Sequence, residues 1–194
     1  VRSTKVTADA LAASNGLGLI VRAGAGTDNI DSEAASARGI YVCNVPGRNA
    51  IAVAELAIGL MLALDRRIPD NTSDLRDGRW DKKTYTKADG IYGKQIGIIG
   101  LGDIGLAVAE RAKAFGMTVV AVRKPDRSSD ALAAVRSIGI RLVDSQEELL
   151  ASSDVVSIHV PKSDNTIGMV DKAFLAAMAD GSYLINTSRG DVVV

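Results

Sequence analysis

The sequence predicts an α/β protein: a doubly wound parallel sheet with helices on both faces, preceded by part of a smaller α/β section. Three observations predict it. From Lys94 onward, short apolar runs alternate with helical patterns, as a parallel sheet covered on both faces requires. At one strand-to-helix junction, Gly100, Gly102 and Gly105 give the spacing G-x-G-x-x-G. The segments richest in useful chemistry (100–105, 123–124, 159–162 and 187–189) all follow strands, and in such a sheet those ends share one edge.

Composition narrows the function. With 194 residues, 47% of them hydrophobic, the chain can bury a sizeable core. Its 23 basic and 23 acidic residues cancel, so nothing sequence-wide points to nucleic acid or an anionic membrane as a partner. The single cysteine, Cys43, excludes an internal disulfide and fits a reducing, cytoplasmic setting. No apolar run is long enough to span a bilayer. The start, Val1-Arg2-Ser3-Thr4, does not read as a signal peptide, and the chain stops inside the apolar run Val192-Val193-Val194. A piece of a longer protein is therefore expected.

In chain order, Thr7 caps a short helix over 8–14, and Leu17 to Arg22 is a β-rich run. The loop Gly24-Ala25-Gly26-Thr27-Asp28-Asn29 follows. Asp31 or Ser32 caps a helix through Arg38, Gly39 stops it, and Ile40 to Asn44 is a strand. This first glycine loop lacks a third glycine at the right spacing. Its backbone N–H groups suit a small anion such as a carboxylate, or it is simply a structural turn. Pro46-Gly47-Arg48-Asn49 breaks the chain before a long helix, Ala50 to Leu64, interrupted only by Glu55. Such a helix must be covered on most sides, between domains or against a second subunit, and a buried Glu55 would then need a partner. The alternative is a core helix with Glu55 at its rim. Ile68 to Arg79 reads as a surface helix and Asp81 to Gly90 as an exposed loop. Trp80 beside it is either an interface anchor or a partly buried packing residue. Beyond Lys94, strands are expected at 95–99, 118–122, 140–143, 154–160 and 182–186, with helices at 104–115, 129–137, 145–152 and 171–178.

Each glycine of the second loop has a physical task. Gly100 permits a tight turn, Gly102 lets a pyrophosphate approach the backbone, and Gly105 lets the helix pack close to the strand. The helix start then directs unpaired N–H groups at the phosphates. After the next strand a carboxylate would usually hold the adenosine ribose; here Arg123 and Lys124 stand there and no acid appears until Asp126. This favours NADP over NAD, unless Arg123 and Lys124 are solvated and Asp126 reaches back to the ribose. Asp103 puts a negative charge in the phosphate turn unless it points away. His159, the only histidine, is either a catalytic base or a packing residue beside the cofactor. Arg189, in Asn186-Thr187-Ser188-Arg189-Gly190, can fork onto a carboxylate or polarise a carbonyl. No Cys/His cluster supports a metal site, and no G-x-S-x-G motif supports a serine hydrolase.

Together, Arg22 through Asp31, Asn44 through Leu56, Gly93 through Gly105, Ser157 through Pro161 and Ile185 through Gly190 resemble the D-isomer-specific 2-hydroxyacid dehydrogenases across essentially the whole chain. The resemblance implies a Rossmann-type NAD(P)-binding domain over 45–194 and part of a flavodoxin-like substrate domain over 1–44. It implies hydride transfer between NAD or NADP and C2 of a D-2-hydroxy acid or 2-keto acid, with 3-phospho-D-glycerate the expected substrate. Arg189 becomes the catalytic arginine, and Arg22, Gly24, Ala25 and Gly26 the substrate-binding loop. Gly100, Gly102, Asp103, Ile104, Gly105, Arg123, Lys124, His159, Val160, Pro161, Thr187 and Ser188 fall on cofactor-binding positions. His159 is then a cofactor-lining residue. The acid–base histidine and its glutamate would lie beyond the last residue, so the chain by itself is expected not to turn over. Arg48 and Lys162 could assist a phosphorylated substrate. A homodimer through the 50–64 helix and the 80–92 loop is also implied. Three departures stand out: Arg123 replaces the aspartate of NAD-using members, Asp103 occupies a place usually uncharged or basic, and Val194 replaces a common Asp or Asn. The rival readings are an NADP-dependent glyoxylate or hydroxypyruvate reductase and a non-catalytic dinucleotide-sensing corepressor of the same fold.

Overall fold

The computed structural model describes residues 1–194, which divide into two units, Val1–Ile51 and Ala52–Val194. In the first, α1 (Ala8–Ala12) starts at Thr7, whose hydroxyl accepts from the Ala10 N–H at 3.3 Å. Helix α2 (Ser32–Ser36) starts at Asp31, whose carboxylate accepts from the Ala34 N–H at 2.9 Å. Strands β1 (Leu19–Val21) and β2 (Tyr41–Cys43) pair in parallel, Leu19 against Tyr41. Both are shorter than the runs 17–22 and 40–44 expected from sequence. Leu11, Ile20, Ile30, Ala35 and Ile40 form this unit's small core.

The long helix is α3 (Ala50–Arg66). Ala54, Ala57, Ile58 and Met61, spaced for one helical face, are buried in a shared core with Ile96 and Ile98. The opposite face leaves Leu56, Leu60 and Leu64 exposed at 56%, 40% and 48%, so covering on most sides is not supplied by the described chain. Glu55 is exposed and lies 3.8 Å from Arg111, which answers the question of its partner in favour of the rim. Helix α4 (Ile68–Arg76) follows Arg67, a left-handed residue at φ 49°. A short helix, α5 (Lys82–Tyr85), stands in the segment read as a loop. The Asp81 side chain caps it by accepting from Thr84, and the Tyr85 hydroxyl donates to Asp74 at 2.6 Å. Trp80 is 79% exposed, which removes the packing alternative.

From residue 95 the predicted alternation appears: β3 (Gln95–Ile99), α6 (Asp103–Ala114), β4 (Thr118–Val122), α7 (Ser129–Ile138), β5 (Arg141–Val143), α8 (Gln146–Ser152), β6 (Val155–Ile158), α9 (Lys172–Ala177) and β7 (Tyr183–Asn186). The five strands are parallel in the order β5-β4-β3-β6-β7. Side chains alternate between the two faces. Ile96 and Ile98 join the core with α3 and α6, while Ile99, Val120, Val156 and Ile158 pack with Leu149, Leu150 and Phe174. Gly97 is needed for that second layer, because a Cβ there would lie 2.5 Å from Leu149 Cδ2. Strand β6 is shorter than the predicted 154–160: its last ladder contact is the His159 N–H donating to Ile99 O at 2.8 Å. The chain winds outward through β3, β4 and β5, then resumes on the other side of β3 with β6 and β7. The switch point between β3 and β6 is where open α/β sheets hold ligands.

Candidate active site

The switch point is shaped by glycine. Gly100 has φ 99°, and a Cβ there would lie 2.5 Å from the carbonyl oxygen of His159. Only glycine lets the exits of β3 and β6 pass this closely. A Cβ on Gly105 would fall on the carbonyl oxygen of Gly100, so α6 can approach β3 only without one. Gly102 differs: nothing lies within 4 Å of its Cβ position. The protein's own packing leaves room there, as approach of an external group requires.

The start of α6 adds to this. Gly102 is its N-cap and offers no side-chain hydrogen bond. Thr7, Asp31, Asp81, Ser128, Ser145 and Asp171 each cap their own helices with a side-chain oxygen. The first N–H groups of α6 therefore have no side-chain acceptor, and a pyrophosphate fits that need. Asp103 is exposed at the first helical position, where its charge favours the helix dipole but opposes an incoming anion. Ile104 is half-buried against the core of this unit.

Arg123 follows β4 and donates its N–H to Val143 O at 2.8 Å. Its guanidinium Nε lies 3.1 Å from a carboxylate oxygen of Asp144, and both side chains are exposed. The carboxylate paired with Arg123 is thus that of Asp144, a residue outside the stretch 123–126 considered from sequence. Lys124 is exposed, while Arg127 folds back to donate to Val122 O at 3.0 Å.

At the end of β6, His159 is half-buried. Its Nε2 lies 2.8 Å from the Ser157 hydroxyl, and its Nδ1 is enclosed without a hydrogen-bond partner. Burial pushes its pKa down to about 4. A ring whose conjugate acid has a pKa of about 4 is a weak base, and here one nitrogen is engaged by Ser157 and the other is enclosed. This geometry fits the packing alternative better than the catalytic base. Val160 is half-buried and Pro161 exposed. Lys162 pairs with Asp191 at 2.9 Å, joining the loops after β6 and β7.

After β7, Asn186 organises the loop. Its Oδ1 accepts from the Ser188 N–H at 2.9 Å and hydroxyl at 2.7 Å, and its Nδ2 donates to Arg189 O at 2.9 Å. The Arg189 guanidinium is half-buried and donates through Nη1 to Ser188 O at 3.0 Å. Thr187 Oγ1 is enclosed without a partner. Ser157, Asn186 and Asp144 were not singled out from sequence. Ser157 carried a signal, since it lies two residues before His159 and so on the same side of β6.

In the first unit, Arg22 donates through Nη1 to Ala23 O at 3.0 Å, and its guanidinium lies over Gly24. It folds onto its own loop. Asn44 donates to Ala25 O at 2.6 Å, bracing the loop from β2. Gly24 has φ 153°, while Gly26 is half-buried with ordinary φ.

Residues 58–194 match the family model described as D-isomer specific 2-hydroxyacid dehydrogenase, NAD binding domain. Among curated relatives, D-3-phosphoglycerate dehydrogenase from Archaeoglobus fulgidus is 45% identical over 194 residues, covering all of this chain and 36% of the relative. Hydroxypyruvate reductase from Thermotoga maritima is 43% identical, covering all of this chain and 60% of the relative. The chain therefore spans roughly a third to three-fifths of these relatives' length. Among solved structures, NAD-dependent formate dehydrogenase from Staphylococcus aureus in complex with NAD superposes with a TM-score of 0.83 at 34% identity. That match covers 98% of this chain and 55% of that one.

Proposed function

From the premise that this chain belongs to the D-isomer specific 2-hydroxyacid dehydrogenase family, we propose that its parent interconverts a D-2-hydroxy acid and the 2-keto acid, with 3-phospho-D-glycerate the preferred substrate. The substrate assignment rests on relatives such as the Archaeoglobus fulgidus phosphoglycerate dehydrogenase. The observation that carries the reading is the uncapped α6 start with open space at Gly102, on the same sheet edge as Arg189.

Bound NAD or NADP supplies the hydride acceptor or donor. Gly100, Gly102, Ile104 and Gly105 shape the pyrophosphate turn, and Arg123 and Lys124 hold the ribose end. Val160, Pro161, Thr187 and Ser188 line the cofactor, and His159 walls it without moving a proton. Arg189 grips the substrate carboxylate and polarises the carbonyl that forms at C2. Within the first unit, the loop at Arg22, Gly24, Ala25 and Gly26 is the proposed anion-binding segment, through its backbone N–H groups. The hydroxyl proton passes to a histidine–glutamate pair outside residues 1–194, so the isolated chain binds cofactor without turnover. The parent works in the cytoplasm.

A second reading, an NADP-dependent hydroxypyruvate or glyoxylate reductase, is favoured by Arg123 at the ribose corner and by the Thermotoga maritima relative. Calorimetric titration with NADH and NADPH tests the cofactor reading, and absence of binding to either contradicts it. Turnover of the full-length parent with 3-phospho-D-glycerate, hydroxypyruvate and glyoxylate separates the two substrate readings. We also propose a homodimer through the bare Leu56, Leu60 and Leu64 face and the segment carrying Trp80 and Tyr92, which are 79% and 86% exposed. A monomer by light scattering at micromolar concentration contradicts it.

A further inference from the structure

We propose that Asp144 limits this protein's preference for a 2′-phosphorylated cofactor, by competing with that phosphate for the guanidinium of Arg123. The inference rests on the dinucleotide reading above. Strands β4 and β5 are in register with Val122 beside Val143, so the next residue of each strand, Arg123 and Asp144, emerges level at the carboxyl edge. The carboxylate takes Arg123 through Nε at 3.1 Å. No other group of the chain engages the Arg123 side chain.

The three cations of this corner are committed differently. Arg127 is spent on the Val122 carbonyl, with its Nε enclosed. Lys124 is exposed and has no partner in the structure. Arg123 is paired with Asp144, whose side chain is 87% exposed. An ion pair in such contact with water is readily exchanged for another anion. A 2′-phosphate carries about 1.5 to 2 negative charges and three acceptor oxygens, so it draws Arg123 away from a single carboxylate. A neutral 2′-hydroxyl cannot. Asp144 therefore opposes binding of NADP and leaves NAD nearly unaffected, which keeps the site open to both cofactors.

The test is calorimetric titration of the chain with NADPH and NADH, for wild type, Asp144→Asn, Arg123→Ala and the double variant. Both residues are exposed, so folding is not at stake. Asp144→Asn is expected to tighten NADPH about 2- to 5-fold at low ionic strength, with the gain shrinking as salt screens it. NADH should change less than about twofold. In the Arg123→Ala background the gain should vanish. Unchanged or weakened NADPH binding by Asp144→Asn overturns the proposal, because Asp144 would then present Arg123 rather than compete for it. A marked loss of NADH overturns it by making Asp144 a ribose ligand. A gain that persists without Arg123 overturns it in favour of direct repulsion. If Arg123→Ala leaves wild-type NADPH affinity unchanged, the ribose-end assignment of Arg123 itself fails, a result distinct from these.

Discussion

The two glycine loops of this chain begin with the same sequence logic and end differently. Both follow a parallel strand and precede a helix and a second strand. In the first, α2 is closed by its own Asp31 carboxylate, and Gly24 is covered by the guanidinium of Arg22. In the second, α6 begins at a glycine with no side-chain cap, and the space beside it is empty. The helix behind the first loop is closed by its own chain, although Arg22 Nε and Asn29 Oδ1 stay enclosed without a partner. The second loop leaves the first N–H groups of its helix without a side-chain acceptor. Of two glycine-rich loops, the one whose helix lacks its own cap is the better candidate for a phosphate.

The sharpest way to break this contrast is at Gly100. Gly100→Ala meets the His159 carbonyl at 2.5 Å in a positive-φ turn, and should destabilise the larger unit by about 3 kcal/mol or more and abolish cofactor binding. Gly24→Ala meets only the movable end of Arg22 and should cost about 1–2 kcal/mol, chiefly from backbone strain. Urea unfolding of both variants checks the pair, and equal losses would erase the distinction.

His159, which roofs the second loop, gives a pH test. Its pKa is about 4 in the folded protein against an ordinary 6.5. As pH falls through 6.5 the unfolded chain takes up a proton that the folded chain refuses until about pH 4. Stability is therefore complete above pH 6.5 and declines from there towards pH 4, by about 2 kcal/mol at pH 5. Comparing His159→Gln with wild type at pH 7 and pH 5 isolates this contribution. An unchanged slope in the variant would show that the histidine titrates normally.

At the first loop, Asp31→Ala should cost about 1 kcal/mol through loss of the α2 cap. It should leave cofactor affinity untouched, since that helix has no assigned role in holding the dinucleotide. A calorimetric change above about twofold would tie the loops together more closely than proposed.

Much of this was legible in sequence. Strands β3 and β4 appear at their predicted bounds, because the apolar runs there are bounded by glycine or polar turns and are long enough to fix the period. The G-x-G-x-x-G turn was legible for the same reason. What escaped depended on neighbours that sequence does not order. The Arg123–Asp144 pair comes from the register of adjacent parallel strands, and the Asn186 ring from a loop closing on itself. Helix α5 was missed because its residues carry no apolar period, only the Asp81 cap and the Tyr85–Asp74 bond. The apolar length of α3 suggested cover on most sides, but it could not say that the face carrying Leu56, Leu60 and Leu64 would stay bare in this chain.

The most direct measurement gives the second loop the feature that closes the first. Gly102→Asp places a capping carboxylate at an extended N-cap with φ −83°, in space where nothing lies within 4 Å. If the uncapped start of α6 is the pyrophosphate site, this variant should be as stable as wild type or more so by a few tenths of a kcal/mol, yet bind neither NADH nor NADPH by calorimetry. A folded Gly102→Asp protein that binds either cofactor with wild-type affinity would contradict the account.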